Sequence, residues 1–393
     1  MHPTDVGSTQ PRLLVFDFFS DSSALPKLVN GIPIVIDYSN SNRYRLVVQE
    51  NNGTKTAYCF STPIYNAKTR KLVDMKFHKD GDTICAVGSN ASITLSQNLV
   101  LENAEVSVSL RLPEKPTLIS PQQTRSGSCV ISPTTNGVAI RCDLGNSPVK
   151  TFSIDVGRPH FNVRANDRCF ALMKEEFRPL VVLSCLGSLD AYGNIIASAR
   201  IEYQKLTDRK YQISISATSP LAQAVLFEMN LYENKLFQDT TVESANPWVN
   251  NAFGSIGFIG NSDTHGEQWL YSRLDYSRIS EVMDKRVHKV VLHIPKLNQS
   301  NAAVSAFKLN ARFCSFGSNW NNKMPDGSLV ANSTDTNGYQ SLDITDWLTK
   351  PHSKTISYVD GFILKSKTKG SGFSALATGD SYFAPQILEI NYR

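Results

Sequence analysis

Hydrophobic and polar positions alternate with a period of two through much of the chain. Val106, Val108, Leu110 and Leu112 fall on one face, with Ser107, Ser109 and Arg111 on the other, and Tyr211, Ile213, Ile215 and Ala217 repeat the pattern. A strand points successive side chains to opposite faces, so this period predicts half-buried strands. Further short runs rich in β-branched and aromatic residues, Ile32–Ile36, Tyr44–Val48, Val287–Ile294 and Ile387–Ile390, are bounded by Asn, Gly, Pro or Ser and read the same way. No long stretch carries the i, i+3, i+4, i+7 stripe of an amphipathic helix. The best helical segments, Ile279–Lys285 and Ile344–Leu348, are one or two turns long. The expected fold class is therefore all-β.

Breakers suggest where the strands group. Pro113, Pro116, Pro121 and Pro133, set among Ser, Gln and Thr, predict a connection between a first β unit and a second, and another break falls near Phe237–Thr240. The resulting expectation is two or three consecutive β-sandwich domains over residues 1–112, 113–236 and 237–393. There is no internal repeat.

Composition narrows the class. The 393 residues suffice for several cores, and charged residues make up 19% against an ordinary ~25%. Ser, Thr, Asn and Gln fill the difference, a surface frequent on β-rich extracellular and virion proteins. The net charge of +5 is spread without a run of like charges, which argues against a nucleic-acid-binding stripe. Seven cysteines, Cys59, Cys85, Cys129, Cys142, Cys169, Cys185 and Cys314, form no C-x-x-C and are odd in number. The expectation is free, mostly buried thiols rather than a zinc site or disulfide scaffold. No apolar segment is long enough to span a membrane, so no membrane insertion is expected, and the first 25 residues do not read as a signal peptide. The Asn-x-Ser/Thr sequons at Asn52, Asn90, Asn298 and Asn332 are the chance matches of a Ser/Thr-rich chain.

From Asp239 onward the order of segments resembles the DNRLRE domain, a β-sandwich family related to carbohydrate-binding modules of bacterial and archaeal extracellular proteins. The resemblance rests on Asp239-Thr-Thr-Val, Asn250-Asn-Ala-Phe-Gly, the strand Ile256–Gly260, Trp269-Leu-Tyr-Ser-Arg273-Leu-Asp-Tyr, Val287–Ile294, Ser318-Asn-Trp320, Leu342-Asp-Ile-Thr-Asp-Trp347, Gly361-Phe-Ile-Leu-Lys365 and the closing Tyr382–Tyr392. It implies a jelly-roll over residues 237–393. The preceding region, notably Tyr58–Asp74, is similar to segments found before such domains in gut clostridial and prophage-encoded proteins. A virion protein released by lysis needs no signal peptide, which fits a phage tail appendage.

A carbohydrate module lays an aromatic face against a sugar ring and fixes hydroxyls with polar side chains. The aromatics expected on loops are Trp320, in Gly317-Ser-Asn-Trp-Asn-Asn-Lys323, then Trp248, in Asn246-Pro-Trp-Val-Asn-Asn251, and Tyr339, in Asn337-Gly-Tyr-Gln. Asn319, Asn321 and Arg273 are the accompanying polar candidates, Arg273 facing either a ligand groove or a carboxylate such as Asp275. Trp269 and Trp347 lie among apolar neighbours and are expected in the core. Many sandwich modules of this kind hold a structural calcium, for which Asp239, Asp263, Asp343 and Asp380 are candidate ligands. No cofactor beyond that is expected. The chain lacks H-E-x-x-H, G-x-S-x-G, G-x-G-x-x-G and the P-loop pattern, and Glu175-Glu176 point to opposite faces of a strand.

The expected function is thus non-catalytic binding of cell-surface polysaccharide or glycan by an extracellular or virion-associated protein. A purely structural tail, fibre or surface-assembly role, with the aromatics as anchors towards other virion or surface proteins or a second copy in a homo-oligomer, is the alternative. A polysaccharide-degrading enzyme is the lesser one.

Overall fold

The structure is a computed structural model, and it describes residues 28–29, 32–37, 39–50, 53–63, 65–66, 71–72, 75–88, 91–157, 162–175, 178–233, 235–298, 303–311, 313–336, 338–367, 372–381 and 384–393. The region of the expected signal-peptide test, the sequons at Asn52 and Asn90, and Asn337, Glu176, Tyr382 and Phe383 lie outside them. The described chain is nearly all β, in several antiparallel sheets. No helix among the described residues is long and apolar enough to cross a membrane.

Two compact units emerge in place of three consecutive blocks. Unit 1 is formed by described residues of 74–234 and 253–256; unit 2 by those of 28–73, 235–252 and 257–393. In unit 1 an eight-stranded sheet runs in the order Ala199–Thr207, Lys210–Ala217, Val149–Val156, Ser107–Arg111, Asn98–Glu102, Ser92–Leu95, Thr83–Val87, His78–Asp80. A nine-stranded sheet, running from Thr117–Ser120 to Asn162–Ala165, supplies the other half of one core. Val108, Leu110, Ile213 and Ile215 of the first sheet join Ile131, Ile140, Phe227 and Met229 of the second in that core. The period-two pattern is thus the inner face of a sandwich.

The proline-rich segment is no domain boundary. The chain leaves one sheet at Arg111 and enters the other at Thr117 within the same unit. Prolines stop a strand because they cannot donate to a ladder, but they do not say whether the next strand joins a new core. The second expected break stands close to a real one, since the chain returns to unit 2 at Lys235. One expectation about sulfur is corrected here. Cys129 and Cys142 stand directly opposite each other on the adjacent strands Cys129–Pro133 and Gly137–Asp143 and form a disulfide. The other five cysteines are free.

Unit 2 is a second sandwich. Its eight-stranded sheet inserts the last strand, Ile387–Tyr392, between Lys55–Phe60 and Val287–Pro295. Its seven-stranded sheet contains Val304–Lys308, Phe362–Ser366, Gly266–Leu274 and Phe237–Glu243. Val47, Ala57 and Cys59 from the early strands share one core with Leu270, Leu274, Leu292, Phe362, Leu388 and Ile390. The two short helical elements, Tyr276–Val282 and Thr345–Leu348, fall where the sequence predicts one or two turns.

Candidate functional site

Strand Gly266–Leu274 has two faces. Leu270 and Leu274 point into the main core of unit 2, while Trp269 and Tyr271 belong to a smaller cluster on the outer face, with Val242, Leu309, Phe313, Ile363, Trp320 and Met324. Trp269 is therefore half-buried on the outer face rather than in the main core. Its apolar neighbours in sequence misled because alternate residues serve opposite faces. Trp347 is half-buried against the main core, its ring 5.6 Å from that of Phe362.

The loop following Phe313 folds back over this outer face. Tyr271 donates its hydroxyl hydrogen to the carbonyl of Met324 at 2.9 Å, and Trp320 brings its ring to 5.0 Å from that of Trp269, inclined at 53°. Two ammonium groups complete the arrangement. Lys365 Nζ lies 3.5 Å from the Trp269 ring centroid and Lys323 Nζ 4.3 Å from that of Trp320. Lys365 also pairs with Asp326 at 2.9 Å, and this ammonium holds the Asp326 carboxyl below its ordinary range against the opposing effect of partial burial. Trp269 Nε1 donates to Glu267 Oε1 at 2.9 Å. Both indoles are thereby oriented.

A second loop carries Trp248, whose side chain is 78% exposed. An exposed indole on a mobile loop would say little, but this loop is pinned. Buried Glu243 accepts from Asn246 Nδ2 at 2.9 Å and pairs with His265 Nδ1 at 3.0 Å. Asn250 Nδ2 donates to the carbonyls of Ser315 and Ser318 at 2.5 and 2.7 Å, and the Asn321 amide donates to the Pro247 carbonyl at 3.2 Å. Those last bonds tie the Trp248 loop to the Trp320 loop. Asn319 Oδ1 accepts from the amides of Asn321 and Asn322, closing a tight turn, and the Asn321 side chain is exposed. Four sequence candidates, Trp248, Asn319, Trp320 and Asn321, thus meet on two tied loops, joined by Trp269, Lys323 and Lys365. Sequence reading misses the lysines because only the fold brings residue 365 to the strand of residue 269.

The other candidates go elsewhere. Tyr339 is corrected from loop to strand: it opens Tyr339–Asp343, is fully buried with its ring 5.8 Å from that of His293, and burial pushes its phenol well above the ordinary range. Arg273 Nη2 donates to Gln238 Oε1, and Arg273 lines an open cleft shared with Asp275. The four aspartates do not converge. Asp263 is exposed in a turn, and Asp343 Oδ1 accepts from the amide and hydroxyl of Thr345 at 3.1 and 2.6 Å. Asp239 and Asp380 do meet, both buried, but Lys235 Nζ lies 4.0 Å from Asp380 Oδ1 and supplies the positive charge itself. Gly379 closes that site: its amide donates to Asp239 Oδ2 at 2.6 Å, and a Cβ there would meet the Phe237 carbonyl oxygen at 2.3 Å. Burial raises both carboxyls; the neighbouring Asp380 raises Asp239 further, and Lys235 works against the rise in each. This donor set, with an ammonium inside it, does not fit a calcium ion.

No family model matches the chain, and no curated protein matches it.

Proposed function

We propose that this protein is a non-catalytic binder of cell-surface polysaccharide, and that the tied loops bearing Trp248 and Trp320 are its contact surface. One observation carries the reading. An indole 78% exposed is held on a loop fixed by part-buried hydrogen bonds, beside a second loop bearing Trp320 and exposed asparagines. A rigid aromatic face costs little conformational entropy on binding, and the surrounding amides offer donors and acceptors for hydroxyls.

The resemblance of residues 237–393 to DNRLRE domains points the same way, and with it an extracellular or virion-associated setting, such as a phage tail appendage or a bacterial surface. The Cys129–Cys142 disulfide suits an oxidising compartment. We propose no nucleic-acid partner.

The test is sedimentation of the intact protein with bacterial cell walls, comparing wild type with Trp248→Ala and Trp320→Ala. The reading expects saturable binding and a loss of about tenfold, ~1.4 kcal/mol, in each variant. A structural role is the second reading, favoured by the ammonium groups that already cover the rings of Trp269 and Trp320. It expects no cell-wall binding and a stable homo-oligomer that Trp248→Ala dissociates.

A further inference from the structure

A cleft of about 660 Å3 opens on unit 2 where strand Gly266–Leu274 gives way to the helix Tyr276–Val282, with residues 358–360 along its rim. Its volume suits a few sugar rings. Part of its lining is an aromatic pair: the rings of Tyr276 and Tyr358 lie 4.7 Å apart, inclined at 53°. Tyr276 is fixed, since its hydroxyl accepts from the Val359 amide at 2.8 Å and reaches the Val359 carbonyl at 3.4 Å. Tyr358 is 75% exposed.

Two carboxylates line the same cleft. Asp275 Oδ1 accepts from the Ser277 amide and hydroxyl at 3.0 and 2.7 Å, which turns Oδ2 to no described donor. Asp360 is exposed and pairs with no cation among the described residues. Arg273 is the one basic lining residue, and Gln238 Oε1 accepts from it. The lining thus sets two acids against one base. The negative faces of tyrosine rings and a surplus carboxylate attract an ammonium and disfavour an anion. Ser277, Ser280 and Gln238 add the donors and acceptors that hydroxyls need.

We infer that this cleft binds the protonated amine of an amino sugar, so that the glycan recognised carries de-acetylated hexosamine; this rests on the glycan-binding reading above. Arg273 and Trp269 share one face of one strand, four residues or about 13 Å apart, a distance that a single oligosaccharide spans.

Calorimetric titration of the intact protein with the tetramers of glucosamine and of N-acetylglucosamine tests the inference. Tighter binding of the glucosamine tetramer by about tenfold is expected, and Tyr358→Ala or Asp360→Asn should each cut that preference to about twofold or less. Both side chains are exposed, so an unchanged thermal midpoint confirms that the variants fold. Equal affinity for the two tetramers, or a preference that both variants retain, overturns the inference. If neither tetramer binds while cell walls do so through Trp248, the amine is ruled out and the glycan reading stands. If cell walls fail as well, both fall.

Discussion

Asp239, Asp380 and Lys235 are almost wholly buried together, and burial raises both carboxyls, Asp380 to about 7, while Lys235 opposes the rise. A raised carboxyl stabilises the fold when protonated. Its contribution is complete below the unfolded value near 4 and is lost as pH rises through about 7. Denaturant midpoints should therefore fall between pH 5 and pH 8, and Asp380→Asn should flatten that slope; an identical slope in the variant would contradict the assignment. Once Asp380 is ionised it needs the ammonium beside it, so Lys235→Met should cost about 3–5 kcal/mol above pH 7 and much less below it. At this scale the sequence was informative where polar loops surround a ring, as at Trp320 and Trp248. It misled at Tyr339, because Gly338 ends the turn and the next residue already belongs to a strand. Partners distant in sequence, such as Lys365 on Trp269, have no local signature.

Strands were legible from alternation and the scarcity of helix from the missing i, i+3, i+4, i+7 stripe, since each pattern is written in neighbouring residues. Connections were not: the prolines after Arg111 end a strand, yet the chain only crosses to the facing sheet of unit 1. Register was equally hidden, and it is register that sets Cys129 opposite Cys142. Thiol titration of the oxidised protein in denaturant should give five reactive groups, from Cys59, Cys85, Cys169, Cys185 and Cys314. Seven would contradict the bridge. In the native state Cys59 and Cys185 should react last, because burial raises both thiols, Cys59 to about 12.

For the whole molecule the decisive fact is that unit 2 takes strands from both ends of the chain. Lys55–Phe60 hydrogen-bonds along the whole of Ile387–Tyr392, and Arg45, itself buried, pairs with Glu281. Residues 237–393 alone, the segment whose motifs resemble a complete domain, should therefore not fold as a stable monomer. They would expose Ile387–Tyr392 as an edge, lose Val47, Ala57 and Cys59 from the core, and lack Lys235 beside its acids. A cooperative unfolding transition for that fragment would contradict this. Binding must accordingly be measured on the intact chain. The deciding measurement is the affinity of residues 1–393 for bacterial cell-wall polysaccharide, wild type against Trp248→Ala. Saturable binding weakened about tenfold by a substitution that leaves the thermal midpoint unchanged is the predicted result. No binding by the folded wild type, or equal binding by the variant, would contradict it.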